Sequence, residues 1–186
     1  MLRSHRARVA FALSPPGEQM ILGLSIENFT LFHVVLSLIG IVTGLAALAG
    51  MLRSAAPGLV THIFLATTAA TTITGFLFPI TAFTPALGVG VISLLLLIAA
   101  YAAFYGLRLA GASRWIYVVT AVAALYLNCF VLVVQAFQKV PALAALAPTQ
   151  SEAPFVAAQG LLLVAFLWFG WRATRSFHPA GFAAAA

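Results

Sequence analysis

Two histidines and four carboxamides are the residues in this sequence best placed to do chemistry. His33 and His62 both fall inside apolar runs, and a histidine pair on neighbouring helices suggests a haem or a metal. Helix geometry argues against one shared iron. If the two runs form a hairpin turning near residue 55, His33 lies about 22 residues from the turn and His62 about 7, so at 1.5 Å per residue their depths differ by roughly 22 Å. A tetrahedral metal set is missing too, because Cys129 is the only cysteine and no acidic residue lies inside an apolar run. Metal-assisted hydrolysis goes with it. Neither Ser37 nor Ser93 has a carboxylate-oriented histidine suggested by sequence, and no GxSxG occurs, so an enzyme is the least favoured class.

The carboxamides point instead to binding. On the run from Trp115 to Lys139, the residues Tyr117, Ala121, Ala124, Asn128, Val131, Gln135 and Gln138 recur at spacings of 4 and 3, which puts them on one helical face. Carboxamides left without partners in a hydrophobic span cost several kcal/mol, so this face is expected to look into protein, with the other helices arranged around it. His33 then comes level with Asn128, Gln135 and Gln138 on this span and Gln159 on the last, with Glu27 or Glu152 near by. These residues form a candidate ligand-binding layer toward the outer face. His62 shares a second, inner layer with Tyr101, Tyr105, Tyr117 and Thr120. In the bland reading each histidine is a satisfied interhelical hydrogen-bonding group, and the outer layer, with more polar side chains at one depth, is the better functional candidate.

The elements that must position these residues are helices in lipid. With 63% hydrophobic residues, 6% charged and a mean hydropathy of +1.11, the sequence lies outside the range of soluble domains and reads as a polytopic membrane protein. The formal charge of +6 is a matter of topology, because no basic patch is interleaved with aromatics and nucleic acid is set aside. Eight arginines to one lysine, with abundant Ala and Gly, suggest a high-GC bacterial genome.

Five spans are expected, near 29–51, 59–79, 86–107, 115–138 and 155–172, each able to cover most of a roughly 30 Å hydrocarbon core. The fold class is all-α, a bundle of five transmembrane helices with a short interfacial segment before the fifth, where Leu143 and Leu146 are anchors between Pro141 and Pro154. Residues 1–28 read as a disordered tail or, before Met20, an over-extended gene start; 29–175 form one transmembrane domain, and 176–186 a disordered C-terminal tail. Arg53, Arg108, Arg114, Arg172 and Arg175 share one side against Lys139 on the other, which places the N-terminus outside and the C-terminus in the cytoplasm.

The first span carries GIVTG, with Gly40 and Gly44 on a packing face, read as intrachain packing with a homo-oligomer seam as the alternative. The second is rich in threonine, whose hydroxyls bond their own helix carbonyls, so packing is favoured over a hydroxyl-lined path.

Three functions follow. The first is a non-catalytic subunit or assembly factor of a larger membrane complex, holding a quinone, a lipid or a single-histidine haem in the outer layer. The second is an uncoupled transporter or channel for a small neutral solute, since no ionisable residue for proton coupling sits at mid-depth. The third is a purely structural membrane protein that packs against partners.

Overall fold

The computed structural model describes residues 20–79 and 84–179. Met20–Ile21 (β1) and Leu24–Ser25 (β2) pair antiparallel around Leu22 and Gly23, which sit at φ 53° and 80°. Two positive φ values in a two-residue loop are what the right-handed twist of a hairpin selects. The Ser25 side chain then accepts from the Asn28 N–H and starts the first long helix, α1, Ile26–Leu52. The tail expected over 1–28 therefore gives way at Met20 to a hairpin and a cap. Residues 1–19 and 180–186, also expected as tails, lie outside the described residues.

After α1 come α2 (Leu59–Gly75), α3 (Pro85–Tyr101), a π-helical turn at Ala102–Gly106, α4 (Ser113–Lys139), α5 (Pro141–Leu146) and α6 (Ala153–Ser176). The fold is all-α apart from the hairpin. Among the described residues α1, α3 with its π turn, α4 and α6 are long and apolar enough to cross a membrane, while α2, at 17 residues, is a shorter apolar helix. At 1.5 Å per residue α2 covers about 25 Å, near the short limit for a spanning helix. The short segment expected before the last span is α5, where Leu146 is exposed and Leu143 half-buried.

α4 touches all the other spans, and α1 and α2 form the most extensive pair. Glycine allows that closeness. A Cβ at Gly44 would fall 2.5 Å from Leu125 Cδ1 and 2.8 Å from the Phe64 ring, and one at Gly40 would sit 3.3 Å from the hydroxyls of Thr67 and Thr68. Both glycines are buried by α2 and α4 of the same chain, so the homo-oligomer seam considered for Gly40 and Gly44 has no room on that face.

The stripe on α4 holds for half its length. Tyr117, Ala121 and Ala124 are buried and Asn128 is half-buried, but Val131, Gln135 and Gln138 are exposed. A repeat of 3.5 residues drifts by about 20° per heptad on a straight 3.6-residue helix, so over about three heptads the stripe rotates off the core by roughly 60°. Cys129 and Phe137 take the buried positions instead.

The α1–α2 turn, the α3–α4 connection and the C-terminal segment meet at one end, where the His178 N–H donates to Ser54 Oγ at 2.8 Å and Arg114 Nη1 donates to the Phe177 carbonyl. We call this the arginine end, because Arg53, Arg108, Arg114, Arg172 and Arg175 gather there. Phe177, expected in a disordered tail, is 2% exposed against Tyr117. Trp115, Trp168 and Trp171 stand exposed toward the same end, where an aromatic belt belongs.

Candidate functional site

The outer layer does not converge on His33. His33 Nδ1 lies 2.8 Å from Thr74 Oγ1 on α2, and the Thr74 hydroxyl is also 2.7 Å from the Ala70 carbonyl. A hydroxyl has one proton, which goes to the carbonyl; Thr74 must therefore accept from His33 Nδ1–H, and the Nε2 lone pair has no partner among the described residues. Phe78 closes over the ring edge-on at 5.4 Å. Asn128 Nδ2 reaches Thr68 Oγ1 at 3.4 Å, Gln138 Nε2 reaches Gln150 Oε1 at 3.4 Å, and Gln159 Nε2 donates to the Phe130 carbonyl at 3.2 Å. Gln135 is exposed with no partner among the described residues, about one turn from the end of α4, where interfacial water can serve it. Glu152 spends its oxygens on Thr149 and Ser151. The residues expected to form one pocket are thus dispersed into local pairs.

His33 and Thr74 are a structural pair, and their worth is testable. His33→Leu and Thr74→Val should each destabilise the bundle by about 0.6 and at most about 1.7 kcal/mol, with the double variant costing little more than one of them. Reversible unfolding in mixed micelles measures this, and additive losses would mean that the two side chains do not interact.

The inner layer assembles. His62 Nδ1 lies 2.7 Å from the Tyr105 hydroxyl, the rings of Tyr101 and Tyr105 are 5.3 Å apart, and Phe104 bridges Tyr105 (4.8 Å) to Tyr117 (5.1 Å). The phenol O–H is the better donor of the first pair, so His62 accepts at Nδ1 and carries its proton on Nε2. The π turn builds this cluster. Its wider ring, closed by the Leu107 N–H to the Ala102 carbonyl at 2.9 Å, seats Phe104 in the core and leaves Tyr105 beside His62.

The chain matches no protein-family model, no curated protein and no solved structure. Its own residues are left to define its chemistry.

Above the cluster, a cleft of about 290 Å³ runs between α2 and α3, lined by Ala69, Ile73, Leu94, Leu97 and Ile98 and ending at Tyr101. Five of the six lining residues are apolar. The sixth, Tyr101, carries a hydroxyl with no partner among the described residues, and its ring packs tilted against Tyr105 of the His62–Tyr105 pair. This volume is at the lower edge of the roughly 300–1,000 Å³ of small-molecule sites, enough for one chain or one substituted ring. A porphyrin is broader, and neither histidine lines this cleft, so the residues do not fit a haem. Among the described residues no group of His, Cys, Asp and Glu is placed to hold a metal ion.

Four of the six α2 threonines use their hydroxyls within the bundle, while that of Thr71 is buried with no partner among the described residues. Thr67, Thr72 and Thr74 bond carbonyls four residues back at 2.7 to 2.9 Å, and Thr68 faces Gly40 and Asn128.

Proposed function

We propose that this chain is a non-catalytic protein of the bacterial inner membrane that holds a hydrophobic ligand with a hydrogen-bonding head, of the quinone or lipid class, in the α2–α3 cleft. It acts as a subunit or assembly factor of a larger membrane complex, with its N-terminus outside and the arginine end in the cytoplasm, in line with the positive-inside rule. One observation carries the reading. An apolar cleft open along the bundle ends at Tyr101, whose hydroxyl has no partner among the described residues and whose ring lies 5.3 Å from that of Tyr105 in the His62–Tyr105 pair. An apolar tail loses nothing by leaving lipid for such a cleft, so affinity and orientation come from the head group, to whose oxygen the Tyr101 O–H donates.

The test is to purify the protein from native membranes, extract it, and identify bound amphiphiles by mass spectrometry. One equivalent of a quinone or a selected lipid is expected. Ala69→Trp, which fills the cleft from its half-exposed wall, should remove it with little change in melting temperature. Tyr101→Phe should weaken binding about tenfold, the value of one hydrogen bond. A ligand-free preparation that keeps its fold, or an Ala69→Trp variant that retains the ligand, overturns the proposal.

A further inference from the structure

A second cleft, of about 230 Å³, opens at the arginine end on the α1–α2 turn and shares no lining residue with the α2–α3 cleft. Its walls are the last turns of α1 at Gly50 and Met51, the first turn of α2 from Gly58 to Thr61, Tyr117 from α4, and Phe177. The α1 side of this turn is closed. The N–H groups of Arg53 and Ala55 reach the Gly50 carbonyl at 3.1 and 2.9 Å, and that of Ser54 reaches Met51 at 3.1 Å.

The α2 side is open. Gly58 stands at the N-cap with no side chain to offer, and the N–H groups of Leu59 and Val60 have no acceptor among the described residues. Such a terminus presents donors and a partial positive charge to whatever lies in front of it.

A second observation, from another part of the chain, points to a ligand at the same place. Tyr117 lines this cleft, is 0% exposed, and its hydroxyl is buried with no hydrogen-bond partner. Phe104 and Phe177 hold its ring at 5.1 and 6.2 Å, so it does not swing out to find water. Thr61, 7% exposed on the same wall, also has a hydroxyl without a partner among the described residues. These groups can all donate. The end they occupy carries Arg53, Arg108, Arg114, Arg172 and Arg175, while both described carboxylates, Glu27 and Glu152, lie at the opposite end. Among the described residues these donors face no carboxylate, and hydrogen-bond donors at a helix N-terminus in a basic surrounding favour an anion.

We infer that this cleft binds a phosphate group, held by the first-turn N–H groups of α2 and the hydroxyls of Tyr117 and Thr61, with Arg53 supplying charge from the turn. The phosphate belongs either to an anionic phospholipid head group at the membrane surface or to a free phosphate from solution. Both present the same oxygens to the same donors.

The full chain is reconstituted in nanodiscs of phosphatidylcholine alone, or with phosphatidylglycerol, and inorganic phosphate is titrated into a third sample in detergent with sulfate-free chloride buffer. Bound lipid is read by native mass spectrometry and stability by thermal melting. If the source is lipid, one phosphatidylglycerol is retained and raises the melting temperature while phosphate does not displace it. If the source is solution, phosphate alone raises the melting temperature saturably.

Two variants test the donors in either case. Tyr117→Phe should melt no lower than wild type when empty, yet lose about tenfold in affinity for the anion, the value of one hydrogen bond to a charged group. Gly58→Ser has open space for its side chain and offers α2 an internal cap, so it should raise the empty protein's melting temperature and weaken the anion by a similar factor. Opposite movement of stability and affinity is not expected of a structural role. No stabilisation by either anion source, or undiminished affinity in both variants, overturns the inference.

Discussion

Gly44→Leu should abolish the folded bundle, whereas Gly40→Ala, one turn away on the same helix, should leave its stability nearly unchanged. A bare Cβ at Gly44 already meets Leu125 Cδ1 at 2.5 Å and Phe64 at 2.8 Å, and both neighbours are 1% exposed or less in relative terms. Overpacking of this kind costs about 1–3 kcal/mol, and a Gly-to-Ala change in a helix returns about 1, so Gly44→Ala should lose roughly 0–2 kcal/mol. Leucine adds three more heavy atoms with nowhere to go, and its loss should exceed about 3 kcal/mol. At Gly40 the nearest atoms are the Thr67 and Thr68 hydroxyls at 3.3 Å, which yield by a few tenths of an ångström. The helix-propensity gain of about 1 kcal/mol offsets that small shift.

Detergent-driven loss of helicity, followed beside size-exclusion mass, separates this packing role from a dimer seam. A Gly44→Leu protein that stays folded but changes its oligomeric state would mean that the face meets a second copy after all.

The contrast between these glycines also shows what the sequence could reveal. Composition and run length are enough for the number and placement of the apolar helices, because a lipid-facing helix has to be apolar along its whole length. The role of α4 as the hub is legible from its stripe of Tyr117, Ala121 and Ala124, but the same stripe misplaces Gln135 and Gln138, since small errors in helical phase accumulate along a long helix. Depth counting along the hairpin puts His33 and His62 in different layers, and their hydrogen-bond partners are different residues, Thr74 and Tyr105.

The partners of His33 and Asn128 escape a sequence reading for a chemical reason. A threonine that donates to its own helix still has lone pairs to accept with, so Thr74 and Thr68 are available acceptors on the nearest helix, although their pattern reads only as packing. The π turn carries no signal in hydropathy. One extra residue in the ring changes which side chains share a face, and Phe104 and Tyr105 diverge there, one into the core and one outward.

Phe104→Ala should be the most damaging single truncation at the arginine end. The ring is 2% exposed and touches His62 at 5.5 Å, Tyr105 at 4.8 Å and Tyr117 at 5.1 Å. Removing a buried phenylalanine costs about 3–5 kcal/mol, and each ring-to-ring interaction it makes contributes about 0.5–1.5 kcal/mol beyond the area buried. Phe104→Leu keeps most of the volume and gives up only the ring geometry, so it should cost less than half as much.

The two variants also differ in what they do to binding. The Phe104 ring packs against His62 and Tyr105 on one side and, on the other, against Tyr117, which lines the cleft at the α1–α2 turn; Tyr105 in turn packs on Tyr101, where the α2–α3 cleft ends. An alanine there frees both sides at once, so affinity for the amphiphile and for phosphate should fall together in Phe104→Ala and survive in Phe104→Leu. Melting curves and bound-ligand mass spectra of the two proteins decide it. If Phe104→Ala melts with the wild type, the aromatic cluster is not what closes this end of the bundle; if only one ligand is lost, the Phe104 ring does not support the residues of both clefts.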